Sequence, residues 1–501
     1  MRAQKAVLNT ATALLLELVT VACGFILPRL ILEFFGSSYN GITSSISQFL
    51  GYIALLRSGI GGVTRASLYK PLKDNDTIAI SRIIIATERF MRHIAMIFIV
   101  FIFIFAVLYP LVISDEFSWI FSFTLVLILG SGTFAQYYFG LTYQMLLKAD
   151  QREYIASIIS IFTTILNTVI ASILIICGGT IHIVKLGSAV AFFLNPLMIN
   201  IYVKKRYRII KNVDPDMTAI SQRWDSFVHQ IANFVHGNTD IIILTLFASL
   251  SEVSVYTIYA MVVSGVKKLV NTLASGMEAA FGNMIVNGEK EILEKNLSLL
   301  EFLIFNISII AFSCSIVLVV PFVSVYTKGI NDSNYLRPLF GILISVAEML
   351  WCIRIPYQSV VLATGQFKET RNGAIIEVVI NIVVSVVLVC QFGMIGVAIG
   401  TICAMLFRSI QYAVYMSKNI VIRSTAVFAR KMIILLFNTV VACFASNMFS
   451  LQYENYIDWF ILASVRLIII SLVTLIFVLI FDRDNLKNFI MKLKGLLKSN
   501  I

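Results

Sequence analysis

The sequence predicts an all-α polytopic membrane protein of about 14 transmembrane helices. They form two parallel-repeat six-helix lobes around a central cavity, with two extra C-terminal helices. Three observations carry this. The 501 residues are 59% hydrophobic and only 13% charged, where soluble chains carry about 25% charged residues. Apolar runs of membrane-spanning length recur from end to end, each enough for a hydrocarbon core of ~30 Å. The chain also resembles itself at an offset of roughly 213 residues.

Taken in order, the expected spans are 8–31, 40–64, 90–112, 117–146, 154–177, 181–203, 224–249, 252–276, 298–326, 336–363, 372–391, 393–417, 429–449 and 457–481. The basic start, Met1 to Lys5, followed by a long apolar run is expected to be a retained first span, because the run exceeds a signal peptide and lacks a small-residue cleavage site. In the second span, Arg57 sits well inside the apolar run, and Gly59, Gly61 and Gly62 are expected to break the helix ahead of a basic loop. A guanidinium at membrane depth costs roughly 2.5–3.5 kcal/mol, so it faces a protein interior or a wet cavity rather than lipid.

Every second connection is basic: the N-terminus (Arg2, Lys5), 65–89, 148–153, 204–223, 267–297 (with Lys267 and Lys268), 364–371, 418–431 and the tail. The intervening loops hold almost no Lys or Arg, apart from Lys328 and Arg337. This asymmetry predicts an even span count with both termini cytoplasmic, and it accounts for the formal net charge of +12 without nucleic acid. From Asn485 to Ser499, apolar residues on one helical face alternate with lysines, the pattern of an amphipathic helix lying on an anionic leaflet. The seven cysteines fall in apolar segments without metal-ligand spacing, so they read as small buried hydrophobes rather than a disulfide framework.

The repeat aligns LLKADQREYIASIISIFTTILNTV (146–169) with VLATGQFKETRNGAIIEVVINIVV (361–384), pairing Gln151 with Gln366 and Asn167 with Asn381. An even number of intervening spans gives both copies the same orientation. The expected divisions are 1–223 for the first lobe and linker, 224–428 for the second lobe, 429–484 for two additional helices and 485–501 for the tail.

Three stretches carry a family resemblance: FFGSSYNGITSSISQFLGYIALLRSGIGGVTRASLYKPL, NTDIIILTLFASLSEVSVYTIY and LATGQ. They resemble polysaccharide repeat-unit flippases of the Wzx type, within the multidrug/oligosaccharidyl-lipid/polysaccharide exporter superfamily. Many relatives have an acidic residue where this chain has Arg57. The resemblance implies a transporter rather than an enzyme, with no cofactor, in the bacterial cytoplasmic membrane. It implies that undecaprenyl-diphosphate-linked oligosaccharide moves from the cytoplasmic to the outer leaflet, among membrane lipids and alongside other polysaccharide-assembly membrane proteins.

Arginine suits such a cargo, because its planar fork donates paired hydrogen bonds to a diphosphate and stays protonated. The candidates are Arg57, Arg354, Arg408 and Arg29; Arg466 lies beyond the repeated core, and Arg29 and Lys185 also fit snorkelling to the headgroups. Cytoplasmic-end snorkelling or lobe packing is the competing role for Arg354 and Arg408. Intramembrane acids mark coupling-ion or polar-cavity positions, here Glu17, Asp240 and Glu348, with His236 and Asn238 beside Asp240; Glu377 also lies within a span. Pairing with an arginine is the alternative for Glu17 and Asp240. A lone His–Asp pair is no metal site. Competing cargoes are a lipid-linked peptidoglycan precursor or, with cation coupling, a drug. A membrane glycosyltransferase or polymerase would need an acid–base or metal constellation in a large external loop, and the sequence has neither that nor a phosphate-binding glycine loop. A silent scaffold would have no use for the buried charges.

Overall fold

The chain folds into helices because uninterrupted apolar runs can satisfy their backbone in lipid only by intrahelical hydrogen bonds. The computed structural model describes every residue except 1, 53, 114, 211, 219–237, 275–280, 282, 283, 285–288, 365, 450, 500 and 501; at 2–4, 6, 7, 54–59, 62, 137, 273, 274, 290, 367, 368 and 492–499 it describes the backbone alone. Two compact units emerge, Met1–Ser254 and Val255–Ile501. Twelve helices among the described residues are long and apolar enough to cross a membrane. Side chains such as Ile120 (71% exposed) and Phe444 (70% exposed) stand outward, a surface that belongs in lipid rather than water. The protein is a multi-pass membrane protein.

In the first unit the order is α1 (Arg2–Phe34), α2 (Ser37–Gly51), α3 (Ala54–Asp74), α4 (Thr77–Val112), α5 (Trp119–Phe139), α6 (Leu141–Ala149), α7 (Glu153–Ile176), α8 (Ile181–Arg206) and the short α9 (Asn238–Phe247). Its boundaries have local causes. Gly36 at φ 94 ends α1, a conformation that costs glycine nothing. Asp76 caps α4 by accepting from the backbone N–H groups of Ile78 (3.0 Å) and Ala79 (2.9 Å), a contact worth ~1 kcal/mol. Where α6 turns into α7, Asp150 ties the chain together: Arg152 Nε lies 2.8 Å away, Lys5 Nζ lies 3.5 Å away, and the Tyr207 hydroxyl donates to it at 2.5 Å.

The second unit contains α11 (Lys290–Tyr326), α12 (Pro338–Ile353), α13 (Ile355–Ala363), α14 (Phe367–Phe392), α15 (Met394–Asn419), α16 (Ala426–Asn447), α17 (Tyr456–Phe481) and α18 (Arg483–Ser499); α10 (Leu250–Ala274) begins in the first unit and continues into the second. The packing order repeats. The first unit packs α4 on α5, α5 on α8 and α7 on α8, and the second packs α11 on α12, α12 on α15 and α14 on α15. Equivalent helices start 213 or 214 residues apart, as in Thr77 and Lys290, Glu153 and Phe367, or Ile181 and Met394. The two additional helices, α16 and α17, pack on each other and on α11.

Several expectations are corrected. The glycine break does not occur: α3 runs through Gly59, Gly61 and Gly62 to Asp74. Each glycine costs a helix ~1 kcal/mol, but Ile60, Thr64 and Leu68 are fully buried against neighbouring helices, and that packing outweighs the propensity. The expected loop 65–89 is therefore the end of α3, a two-residue turn with Asn75 at φ 54, and the first turns of α4. Spans 117–146 and 336–363 are each kinked, at Gly140 and at Arg354 just before Pro356. Most of the span expected at 224–249 lies outside the described residues. The tail is helical to Ser499. All seven cysteines are free; Cys352 is buried, while Cys177, Cys390 and Cys403 are exposed, so burial in the core is not their common property.

Candidate functional site

The second unit holds a row of charge built along α12. Glu348, Trp351 and Arg354 follow one another at three-residue spacing, which puts them on one side of the helix. Lys267 Nζ on α10 lies 2.8 Å from Glu348 Oε2 and 4.4 Å from the Trp351 ring centre. The Arg354 guanidinium stands 5.2 Å from the same ring, within cation–π range. Arg354 Nη1 then donates to Glu377 Oε1 at 2.9 Å, and Arg408 Nε lies 3.1 Å from Glu377 Oε2. Arg408 also donates to the Thr370 carbonyl (3.1 Å), to Gln411 Oε1 (2.5 Å) and to the Tyr412 hydroxyl (2.7 Å).

Arg354, Arg408 and Glu377 are nearly sealed, at 3%, 5% and 5% exposure. The two arginines expected to grip cargo share one carboxylate, which is the lobe-packing role weighed for them above. A second buried carboxylate, Glu301, takes Lys431 at 2.6 Å together with Arg423. Arg466 donates to the Val317 carbonyl.

In the first unit the helix α2 meets α9 and the start of α10 through polar pairs. Gln48 donates to Asn238, Thr245 Oγ1 donates to Ser45 Oγ at 2.8 Å, Asn40 donates to Ser254 Oγ at 2.8 Å, and the hydroxyls of Ser38 and Ser251 lie 3.2 Å apart. Tyr109 of α4 also donates to Ser45, at 2.9 Å. Asp240, 9% exposed, lies on α9 beside these contacts. Glu17 is half-buried on α1, and Arg29 lies 3.6 Å from Glu33 one turn on. Arg57 lies on α3, but its side chain falls outside the described residues, as does the whole of His236.

Two of the cavities in the first unit concern charged residues within or at the ends of its long helices. One, of about 660 Å³, is lined by Glu88, Arg89, Arg92, His93, Tyr143, Lys204, Tyr207 and Arg208 among others. It sits at the ends of α4 and α8 that carry the basic residues. The other, of about 400 Å³, is enclosed by α1, α2, α5, α7 and α8 and contains Lys185. Lys185 therefore lines a cavity within the first unit.

The fold recurs in solved proteins. Lipid II flippase MurJ, in its inward closed conformation, matches with a TM-score of 0.72 at 15% identity, over 95% of this chain and 99% of MurJ. An inward-facing multidrug resistance MATE family transporter of the MOP superfamily matches at 0.63 and 14%, over 82% of this chain and 97% of its own. An outward-facing one matches at 0.56 and 13%, over 83% and 95%. The chain has the MurJ and MATE fold. No protein-family model and no curated protein matches the sequence.

The sequence pattern places Lys267 in a basic loop and gives Glu301, inside the expected span 298–326, no role. The three-residue spacing of Glu348, Trp351 and Arg354 was the available signal for a charged face needing a cation opposite. Nothing in the sequence marked Asp150 as a hub or α4 and α8 as neighbours.

Proposed function

We propose that the protein is a flippase that moves undecaprenyl-diphosphate-linked oligosaccharide repeat units from the cytoplasmic to the outer leaflet by alternating access, for cell-surface polysaccharide. The observation that carries the reading is the basic cavity of the first unit. Arg89, Arg92, Lys204 and Arg208 face a single carboxylate, Glu88, which lies 3.7 Å from Arg92. That excess of positive charge suits a diphosphate, which guanidinium groups bind in paired fashion. Tyr143 and Tyr207 also line it. The positive-inside pattern assigns this end of the helices to the cytoplasm, where the cargo is assembled, and leaves its polyprenyl tail in lipid. No catalytic residue is assigned.

A second reading has its own support. MurJ, named for lipid II, matches over a larger share of this chain than either MATE transporter does, which favours lipid II as cargo over a drug. The test is genetic. Cells lacking the gene should accumulate lipid-linked repeat units in the cytoplasmic leaflet, and an Arg89→Ala, Arg208→Ala double variant, present at wild-type level, should restore export at least tenfold less well. Normal surface polysaccharide without the gene would overturn the proposal.

A further inference from the structure

We propose that the 400 Å³ cavity around Lys185 is a binding site for a carboxylate-bearing sugar of monosaccharide size, so that the repeat unit contains an acidic sugar. This rests on the flippase reading for its biological cargo, but not for its chemistry. Lys185 projects from the second turn of α8 into the cavity, and no acidic side chain lines it. Among the described residues Lys185 has no ion pair or hydrogen bond. An ionisable side chain without a counter-charge within a membrane span marks a pathway or a ligand.

A second observation points the same way. Asn167 of α7 also lines the cavity, is only 5% exposed, and its Oδ1 has no hydrogen-bond partner. Buried polar groups are normally satisfied. Ser47, Thr133, Gln136 and Ser188 supply further hydroxyl and amide groups, and Phe192 supplies an aromatic face. The set is a cation for a carboxylate, amides and hydroxyls for ring hydroxyls, and a ring for the apolar face of a sugar. The volume falls in the range of ligand pockets, ~300–1,000 Å³.

The chain contains its own control. In the second unit the position equivalent to Lys185 is Ala398, and the equivalents of Asn167 and Ser188 are Asn381 and Thr401. There Asn381 Nδ2 donates to Thr401 Oγ1 at 3.1 Å. A Cβ on Gly400 would fall 2.1 Å from Ser385 Oγ, and one on the equivalent Gly187 2.7 Å from Leu174 Cδ1, so α14 and α15 pack closely there, as α7 and α8 do. Asn381 Oδ1, like Asn167 Oδ1, has no hydrogen-bond partner, so what sets the first unit apart is the charge of Lys185 where the second has Ala398.

The test is calorimetric titration of the full-length protein in lipid nanodiscs with glucuronate, glucose and acetate. Glucuronate should bind, Lys185→Met should weaken it at least tenfold, and Lys185→Arg should retain most of it. Glucose, which has the ring without the charge, should bind at least tenfold more weakly. Absence of glucuronate binding, or binding unchanged in Lys185→Met, overturns the proposal; so does acetate binding as tightly as glucuronate, which would make this a free-anion site. None of these outcomes depends on export. Export of a repeat unit with failed glucuronate binding would refute the site alone, and glucuronate binding without export would refute the cargo alone.

Discussion

Removing the Glu377 carboxylate should unfold the second unit before it affects cargo. In Glu377→Ala, Arg354 and Arg408 lose their contacts at 2.9 and 3.1 Å and remain at 3% and 5% exposure. The local charge rises from one positive to two, with only neutral partners left: Thr370, Gln411 and Tyr412. Breaking a buried ion pair from one side costs about 3–5 kcal/mol, and at ~1.4 kcal/mol per decade that shifts the folding equilibrium roughly 10²–10³-fold. Detergent-solubilised protein, heated and followed by fluorescence-detected size exclusion, should lose its monodisperse peak well below the wild-type temperature. The triple variant Arg354→Met, Glu377→Leu, Arg408→Met removes all three charges together and should sit near wild type, because burial of the charges is itself costly. If Glu377→Ala melts like wild type while transport fails, the triad is not a structural lock and its arginines return to the list of cargo ligands.

Two further outcomes follow from the first unit. A Cβ at Gly41 would lie 1.8 Å from the Leu250 carbonyl oxygen. Gly41→Val should therefore cost at least the ~1–3 kcal/mol typical of overpacking, read by the same melting assay, whereas Gly24→Ala, with open space around it, should not. The Tyr207 hydroxyl is raised above its ordinary 10.0, first by burial and then by the hydrogen bond it donates to Asp150. Its raised folded value favours the protonated phenol, so this stabilisation is complete below pH ~10 and is lost as pH rises beyond it. Tyr207→Phe should abolish that alkaline decline, and an unchanged slope in a melting series against pH would contradict the assignment.

Much of the fold was legible because lipid imposes a simple rule. The runs that became α4, α7, α8, α14, α15 and α17 read directly as spans, and the self-similarity around Gln151 and Gln366 anticipated the repeated packing. What the sequence hid was tertiary. Gly59, Gly61 and Gly62 look like a break, and only the burial of Ile60, Thr64 and Leu68 makes them helical. Arg354 and Arg408 read as lone intramembrane cations in the sequence, which does not show that α14 brings Glu377 between them. Lys267 looked like loop charge because hydropathy cannot see the Glu348 that keeps it on a helix. Lys185 looked like a snorkelling residue, because nothing local reveals the cavity made by four other helices.

The central claim is that this fold turns a lipid-linked sugar headgroup across the bilayer. The direct measurement places purified protein in unilamellar vesicles containing undecaprenyl-diphosphate-linked oligosaccharide and follows its accessibility to an external glycosidase that cannot cross the membrane. Protein-containing vesicles should expose the inner-leaflet pool, and protein-free vesicles should leave it protected. A protected pool in both, while lipid II crosses in the same vesicles, would contradict the account.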